Sequence, residues 1–397
     1  MRTIAVVLFS FFLPLSPRIA TYITAIWFVL WIISGQPIKH IRQLRKKSIW
    51  PVLGLFLLYL VGLSWSAYPE TGLRELETKL SLLVFPLLFF LSPVQHEPVI
   101  PSIRVSFILG LCGAMLISYV AAASNYLETG LNTFSYKELG APLRFHPTYF
   151  ALYLNFGIIL AVDAILKKKD NRFLYRIFVG NAVLFIFLLA ARMQLILLLV
   201  VGLIWFLWWG YQKGKLLGGI ARAFVALLLL SAIAWSIPTT RNRINRAITE
   251  WRAPQVDAGN IRLELWAAAQ TAWAESPIWG TGTGGGMPAL ERKYRQIDCA
   301  ECLDGPLNAH NQYLQTAVEL GLIGLLFWIL SLLFPFIIRN GRKQQLLVFF
   351  LILFALSTLT ESMLATQRGA MFFGFFYAFF LWNETQFQLI GEKSKVD

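Results

Sequence analysis

Apolar residues gather in runs along the whole chain, roughly over 3–16, 18–34, 49–66, 80–93, 104–125, 147–166, 177–191, 193–210, 221–238, 318–338, 346–362 and 368–383. Runs of roughly 15 to 22 residues predict helices that cross a bilayer, because a segment surrounded by hydrocarbon must satisfy its own backbone donors and acceptors. The pattern therefore predicts an all-α polytopic membrane protein of about twelve spans. The first run, Ile4 to Leu15 behind Arg2, has the outline of a signal peptide. It lacks a small-residue cleavage site and a second run follows at once, so it reads as a retained helix. No internal repeat and no low-complexity stretch interrupts the series.

One long polar stretch, opening at Thr239, separates the ninth run from the tenth. It divides the chain into 1–238, the first nine helices of a bundle, 239–317, a helical loop, and 318–397, the last three helices and a tail. Within the loop, Ile261 to Trp273 repeats apolar residues at helical spacing and predicts an amphipathic helix lying on the membrane. Pro277 and the glycines from Gly280 to Gly286 end it. No strand precedes those glycines, which rules out a dinucleotide fold. A flexible turn is the expectation, with phosphate contact through its amides as the second reading. Another helix is expected over Ala289 to Gln296. The loop is too small to fold around a sizeable core of its own.

Composition agrees with a lipid-solvated chain. Hydrophobic residues make up 57% of the sequence and charged residues only 14%, against about 25% charged in soluble domains. The net charge of +14 raises the question of nucleic acid, but its distribution answers it. Most basic residues sit in short loops: Lys39 to Lys47, Lys167 to Arg176, Lys213 to Arg222 and Arg339 to Lys343. Short basic connections are what cytoplasmic loops carry, so no nucleic-acid partner is expected. Placing those clusters inside puts Ser66–Lys79, Asn125–Phe145, Ala190–Arg192, Thr239–Ala317 and Glu361–Gln367 outside. Shifting the count by one helix would expose every basic cluster.

Candidate chemistry gathers on that outer side. Arg192 stands where two apolar runs meet, with only Ala190 and Ala191 beside it. It is either an arginine snorkelling at a tight turn or a guanidinium facing a lipid-linked phosphate, a group its planar fork suits. Arg262, in Asn260-Ile-Arg-Leu-Glu-Leu-Trp, is alone a surface cation. With Asn260 capping the helix start it becomes a diphosphate cradle. His310 opens the tenth span, where a neutral imidazole can take a proton from an attacking sugar hydroxyl. Its bland alternative is a polar residue at headgroup level. Asn311, Gln312 and Tyr313 extend the polar patch. Arg144 and His146, in Arg-Phe-His-Pro-Thr-Tyr, mark a helix start or a substrate contact. Glu361 and Arg368 flank the last outer turn, where they pair with each other, position His310 or touch substrate. Small residues in Glu319-Leu-Gly-Leu-Ile-Gly suggest close helix approach.

Cys299 and Cys302 form Cys-Ala-Glu-Cys, for which an oxidising compartment favours a short-loop disulfide. A zinc site would need two further ligands, and a redox role ranks third. Cys112 reads as packing. No acidic cluster suggests a divalent metal and no cofactor is expected, so arginines would have to meet the charge of a leaving diphosphate.

With these residues in view, the chain resembles the O-antigen ligase and polymerase superfamily of bacterial envelope enzymes. The resemblance rests on Arg192, on Arg262 in its segment, on the His310 segment through Glu319-Leu-Gly-Leu-Ile-Gly, and on one large outer loop late in the chain. It implies a C-type glycosyltransferase-like helical fold and a metal-independent, inverting transfer. A glycan on undecaprenyl diphosphate would move to a sugar of the lipid A core, at the periplasmic face of the bacterial inner membrane. Arg192 and Arg262 would hold the diphosphate as it leaves, and His310 would activate the acceptor hydroxyl. The Cys-Ala-Glu-Cys run is outside the family pattern. A polymerase using a second lipid-linked repeat shares this layout, and a lipid-linked glycan transporter is the rival from another class. Transporters tend to carry mid-span charges and repeated halves; this sequence has almost none of the first and none of the second.

Overall fold

The computed structural model describes residues 2–42, 49–93, 99–167, 171–252, 261–305, 307–337 and 345–393. Every apolar run folds as a helix: α1 (Arg2–Phe12), α2 (Pro17–Ile33), α3 (Trp50–Gly62), α4 (Ser81–Phe90), α5 (Ile100–Thr129), α6 (Pro147–Leu166), α7 (Arg172–Leu189), α8 (Arg192–Gln212), α9 (Leu216–Ser236), α10 (Gln312–Ile337), α11 (Gln345–Ser357) and α12 (Gln367–Lys393). Among the described residues no strand occurs. By length and composition, α5 to α10 are each able to cross a membrane, while α1, α2, α3 and α11 are shorter apolar helices. The protein is an all-α polytopic membrane protein. Of the basic clusters, Arg339 to Lys343 lies outside the described residues.

The chain forms two compact units, one of Met1–Thr24 with Val99–Gln255, the other of Ala25–Pro98 with Val256–Asp397. In the first, α1 packs on α5, and α6 packs on α5, α7 and α8. The α1–α5 crossing depends on Gly110, where a Cβ would lie 2.2 Å from the Phe11 carbonyl oxygen. Buried Arg104 of α5 bonds buried Asp163 of α6, and Lys167 Nζ lies 2.8 Å from the same carboxylate. Pairing is what lets such charges sit inside apolar surroundings. Asn155 of α6 donates to Gln194 of α8 twice, to its carbonyl at 3.0 Å and to Oε1 at 3.1 Å. That bond fixes the first turn of α8, which begins with Arg192. The Thr240 hydroxyl donates to the Phe187 carbonyl and ties the following helix, Pro238–Arg252, to α7.

In the second unit α3 packs on α10 and α4 on α12. Rings dominate the latter contact, with Phe85 and Phe89 centred 5.3 and 5.7 Å from Phe375. α10 is not one continuous helix: Gly321 has φ 63° and ψ −158° and breaks it. The glycine-rich stretch 280–286 inserts at the break. Thr281 N and Gly282 N donate to the Val318 and Glu319 carbonyls at 2.9 Å each, and Leu322 N donates to the Pro277 carbonyl at 2.8 Å. Backbone groups orphaned by the break thus find partners on the inserted segment, as burial requires. The Thr283 hydroxyl also donates to the Tyr59 carbonyl at 2.6 Å, fastening the segment to α3.

Two expectations are corrected here. The glycine run is not a flexible turn, and its amides do not await phosphate, because those of Gly280, Thr281, Gly282, Thr283 and Gly285 are all bonded to backbone carbonyls. Gly321 does not serve helix–helix approach. A Cβ there would lie 2.2 Å from the Ile278 carbonyl oxygen, so its role is to admit the inserted backbone.

Candidate active site

The helix predicted from Ile261 forms as Ile261–Glu275, but its apolar face does not simply rest on lipid. Leu265, Ala268, Ala269 and Ala272 are buried in a small core with Leu290 and Tyr294 of the helix Gly286–Gln296, the Cys299–Cys302 disulfide, Ala309 and Val318. Protein covers a stripe that sequence alone could assign equally to a membrane. The bonded sulfurs lie near Glu264, 3.8 Å from Cys302 Sγ, the one grouping of potential metal ligands among the described residues. Tyr294 donates from its hydroxyl to the Leu307 carbonyl at 3.2 Å, and burial pushes its phenol well above the ordinary range. It therefore stays a neutral donor and anchors the segment leading to His310.

Arg262 is half-buried at the second position of this helix. Leu265, one turn on, shares the small core with Ala309, the neighbour of His310. The expected cap, Asn260, lies outside the described residues.

His310 precedes α10 in a left-handed conformation, φ 44°. Its amide donates to Asn308 Oδ1 at 2.9 Å. Asn311 caps α10, its Oδ1 accepting from Tyr313 N at 2.9 Å and Leu314 N at 3.2 Å. That cap is why the helix starts at Gln312, ahead of the apolar run. The Asn311 amide donates to the Ser362 hydroxyl at 3.2 Å, and Gln312 Oε1 accepts from Leu364 N at 2.7 Å. These bonds bring the last outer turn to the histidine. There Glu361, itself buried, places Oε1 at 3.0 Å from His310 Nδ1.

The pair has a clear chemical consequence. With Nδ1–H donated to the carboxylate, Nε2 is the ring nitrogen left to accept a proton, on a side chain that is 25% exposed. Glu361 Oε2 is buried and has no hydrogen-bond partner among the described residues. A buried carboxylate so placed orients the ring and stabilises the cation formed when Nε2 takes a proton. Of the roles left open for Glu361, the geometry provides the one toward His310. Arg368, half-buried, is the second residue of α12, just past that turn.

The other candidates belong to the first unit. Arg192 is half-buried as the first residue of α8, after Ala190, whose left-handed φ of 48° makes the tight turn. Arg144 is exposed, also left-handed at φ 47°, and closes a short helical turn over Ala141–Leu143. His146 is exposed and caps α6, its Nδ1 accepting from Thr148 N at 3.4 Å. Lys79, Glu75, Tyr59 and Gln315 went unmarked in the sequence, although the spacings 75–79 and 315–319 are those of facing polar pairs on a helix.

A half-exposed imidazole backed by a buried carboxylate sits beside an arginine-bearing helix, on the long loop of a polytopic chain. Residues 177–329 match the O-antigen ligase family. Over that segment the chain is similar to the O-antigen ligase and polymerase superfamily. The matched segment runs from α7 into α10 and contains Arg192, Arg262 and His310; Arg144, His146, Glu361 and Arg368 lie beyond it. An uncharacterised protein of Haemophilus influenzae (strain ATCC 51907 / DSM 11121 / KW20 / Rd) is 24% identical over 316 residues, covering 76% of this chain and 75% of that one. The family supports ligase or polymerase activity of the glycosyltransferase kind, in a multi-pass membrane protein.

Proposed function

We propose that this protein transfers a glycan from undecaprenyl diphosphate to a sugar of the lipid A core, at the periplasmic face of the inner membrane. The observation that carries the reading is the His310–Glu361 pair in a chain whose residues 177–329 match the O-antigen ligase family. The acceptor hydroxyl loses its proton to His310 Nε2 as its oxygen bonds the anomeric carbon. On the opposite face the bond from that carbon to the diphosphate oxygen breaks, which inverts the centre. Undecaprenyl diphosphate leaves with the electron pair, and Arg262 meets its charge in place of a metal. Glu361 holds the imidazolium until the proton passes to solvent.

Arg262→Lys keeps the charge but loses the two-pronged donor, so kcat is expected to fall by about 10²-fold with expression unchanged. Initial rates with purified protein check this, and a lysine variant of normal rate would remove the bidentate role. Acceptor identity is tested in a deletion strain. Accumulated lipid-linked polymer with bare core is the expected phenotype, whereas core capped by a single repeat would mean that the acceptor is another lipid-linked repeat.

A further inference from the structure

The turn that carries His310 is held by a chain of buried polar groups to which the transfer step above gives no role. Gln315, 2% exposed, accepts the Ala309 N–H at its Oε1, 3.0 Å away, and donates from Nε2 to Glu319 Oε1. Ala309 is fully buried, so this amide has no access to water as an alternative partner. The arrangement works in one orientation of the Gln315 amide. Only its oxygen can take the N–H, and only its NH2 group can meet a carboxylate.

Glu319 enforces that orientation, and Lys79 holds Glu319. Lys79, 2% exposed at the end of the helix Pro69–Lys79, places Nζ at 3.8 Å from Glu319 Oε2 and 3.2 Å from Glu75 Oε2, 4.5 Å from the centre of the Tyr59 ring. Burial works against its charge, but Glu319 and Glu75 outweigh it and raise the ammonium above its ordinary value. It therefore remains cationic. The Glu319 carbonyl meanwhile accepts from Gly282 N at 2.9 Å, so the carboxylate projects from a segment fixed at both ends. At the other end of the chain, a φ of 44° at His310 is a conformation that an L residue keeps only when its neighbours over-determine it.

We propose that Gln315 is a positioning residue for His310, with Glu319 and Lys79 fixing the orientation of its amide. The inference rests on reading His310 as the proton acceptor, but it concerns the setting of the imidazole, which can be read without turnover. The test uses the full-length protein in detergent with Gln315→Leu, Glu319→Gln and Glu319→Leu. Diethyl pyrocarbonate modification of His310 is followed by peptide mass, with His146 as internal reference, alongside kcat and KM.

In Gln315→Leu the freed turn should make His310 react about fivefold faster relative to His146. In the same variant kcat should fall about tenfold, with KM within about twofold, because orientation rather than substrate binding is lost. Glu319→Leu should behave alike. Glu319→Gln still offers an amide oxygen to Gln315 and leaves Lys79 paired with Glu75, so His310 reactivity should stay within about twofold of the parent. Should Gln315→Leu fail to fold, the contrast between the two Glu319 variants decides. Unchanged His310 reactivity in Gln315→Leu, or equal effects of Glu319→Gln and Glu319→Leu, overturns the proposal. Altered reactivity together with normal turnover by His310→Ala would uphold the positioning and sink the catalytic reading instead.

Discussion

His310→Ala is expected to lower kcat for glycan transfer by about 10²- to 10⁴-fold, the range over which a positioned base acts. The protein should keep its yield and melting temperature, because the ring is 25% exposed and its bond to Glu361 is the side-chain contact removed. Glu361→Gln should fall between the parent and His310→Ala. An amide can still accept from Nδ1–H and hold the ring, but it no longer offers charge to the imidazolium. Steady-state rates for the three proteins, with melting curves as controls, give the comparison. Turnover by His310→Ala within about threefold of the parent would remove the imidazole from the mechanism.

Gly321→Ala should produce a large stability loss. The residue sits at φ 63°, and the new Cβ would lie 2.2 Å from the Ile278 carbonyl oxygen, a backbone atom that cannot swing aside. Relief would require moving the 277–283 segment and breaking its bonds to Val318, Glu319 and Leu322. A cost on the order of 4 kcal/mol or more follows from combined backbone strain and lost buried hydrogen bonds. Gly180→Ala in α7 is the matched control. Nothing lies within 4 Å of a Cβ there, and alanine is the better helix former. Thermal unfolding in one detergent should show a large drop for the first and none for the second. Similar melting temperatures would mean that the break in α10 is not held by the inserted segment.

The helices were legible because hydrocarbon leaves the backbone few options, and all twelve apolar runs appear as helices. Boundaries were less legible where a polar residue sets them. Asn311 starts α10 ahead of the apolar run through its side-chain oxygen, a cap that hydropathy does not register. The break at Gly321 was illegible for a different reason. Glycines in Glu319-Leu-Gly-Leu-Ile-Gly fit close helix packing as well as they fit a kink, and only the distant segment 277–283 decides between them.

At the site, His310 and Glu361 were each recognisable as polar residues at span ends, and their meeting depends on Ser362 and Leu364 bonding to Asn311 and Gln312 across a wide gap in sequence. Lys79 stood out least. A lysine ending an exposed-looking helix gives no sign that Glu319, far along the chain, removes it from water.

Transfer from a lipid diphosphate to a core sugar should need no metal. It is tested most directly with purified protein in liposomes, given labelled undecaprenyl diphosphate-linked glycan and lipid A core, with a chelator present throughout. Label should appear on the core lipid, and undecaprenyl diphosphate should be released at a rate the chelator does not change. Loss of all product on chelation, or product formed equally well from the donor lipid alone, would contradict it.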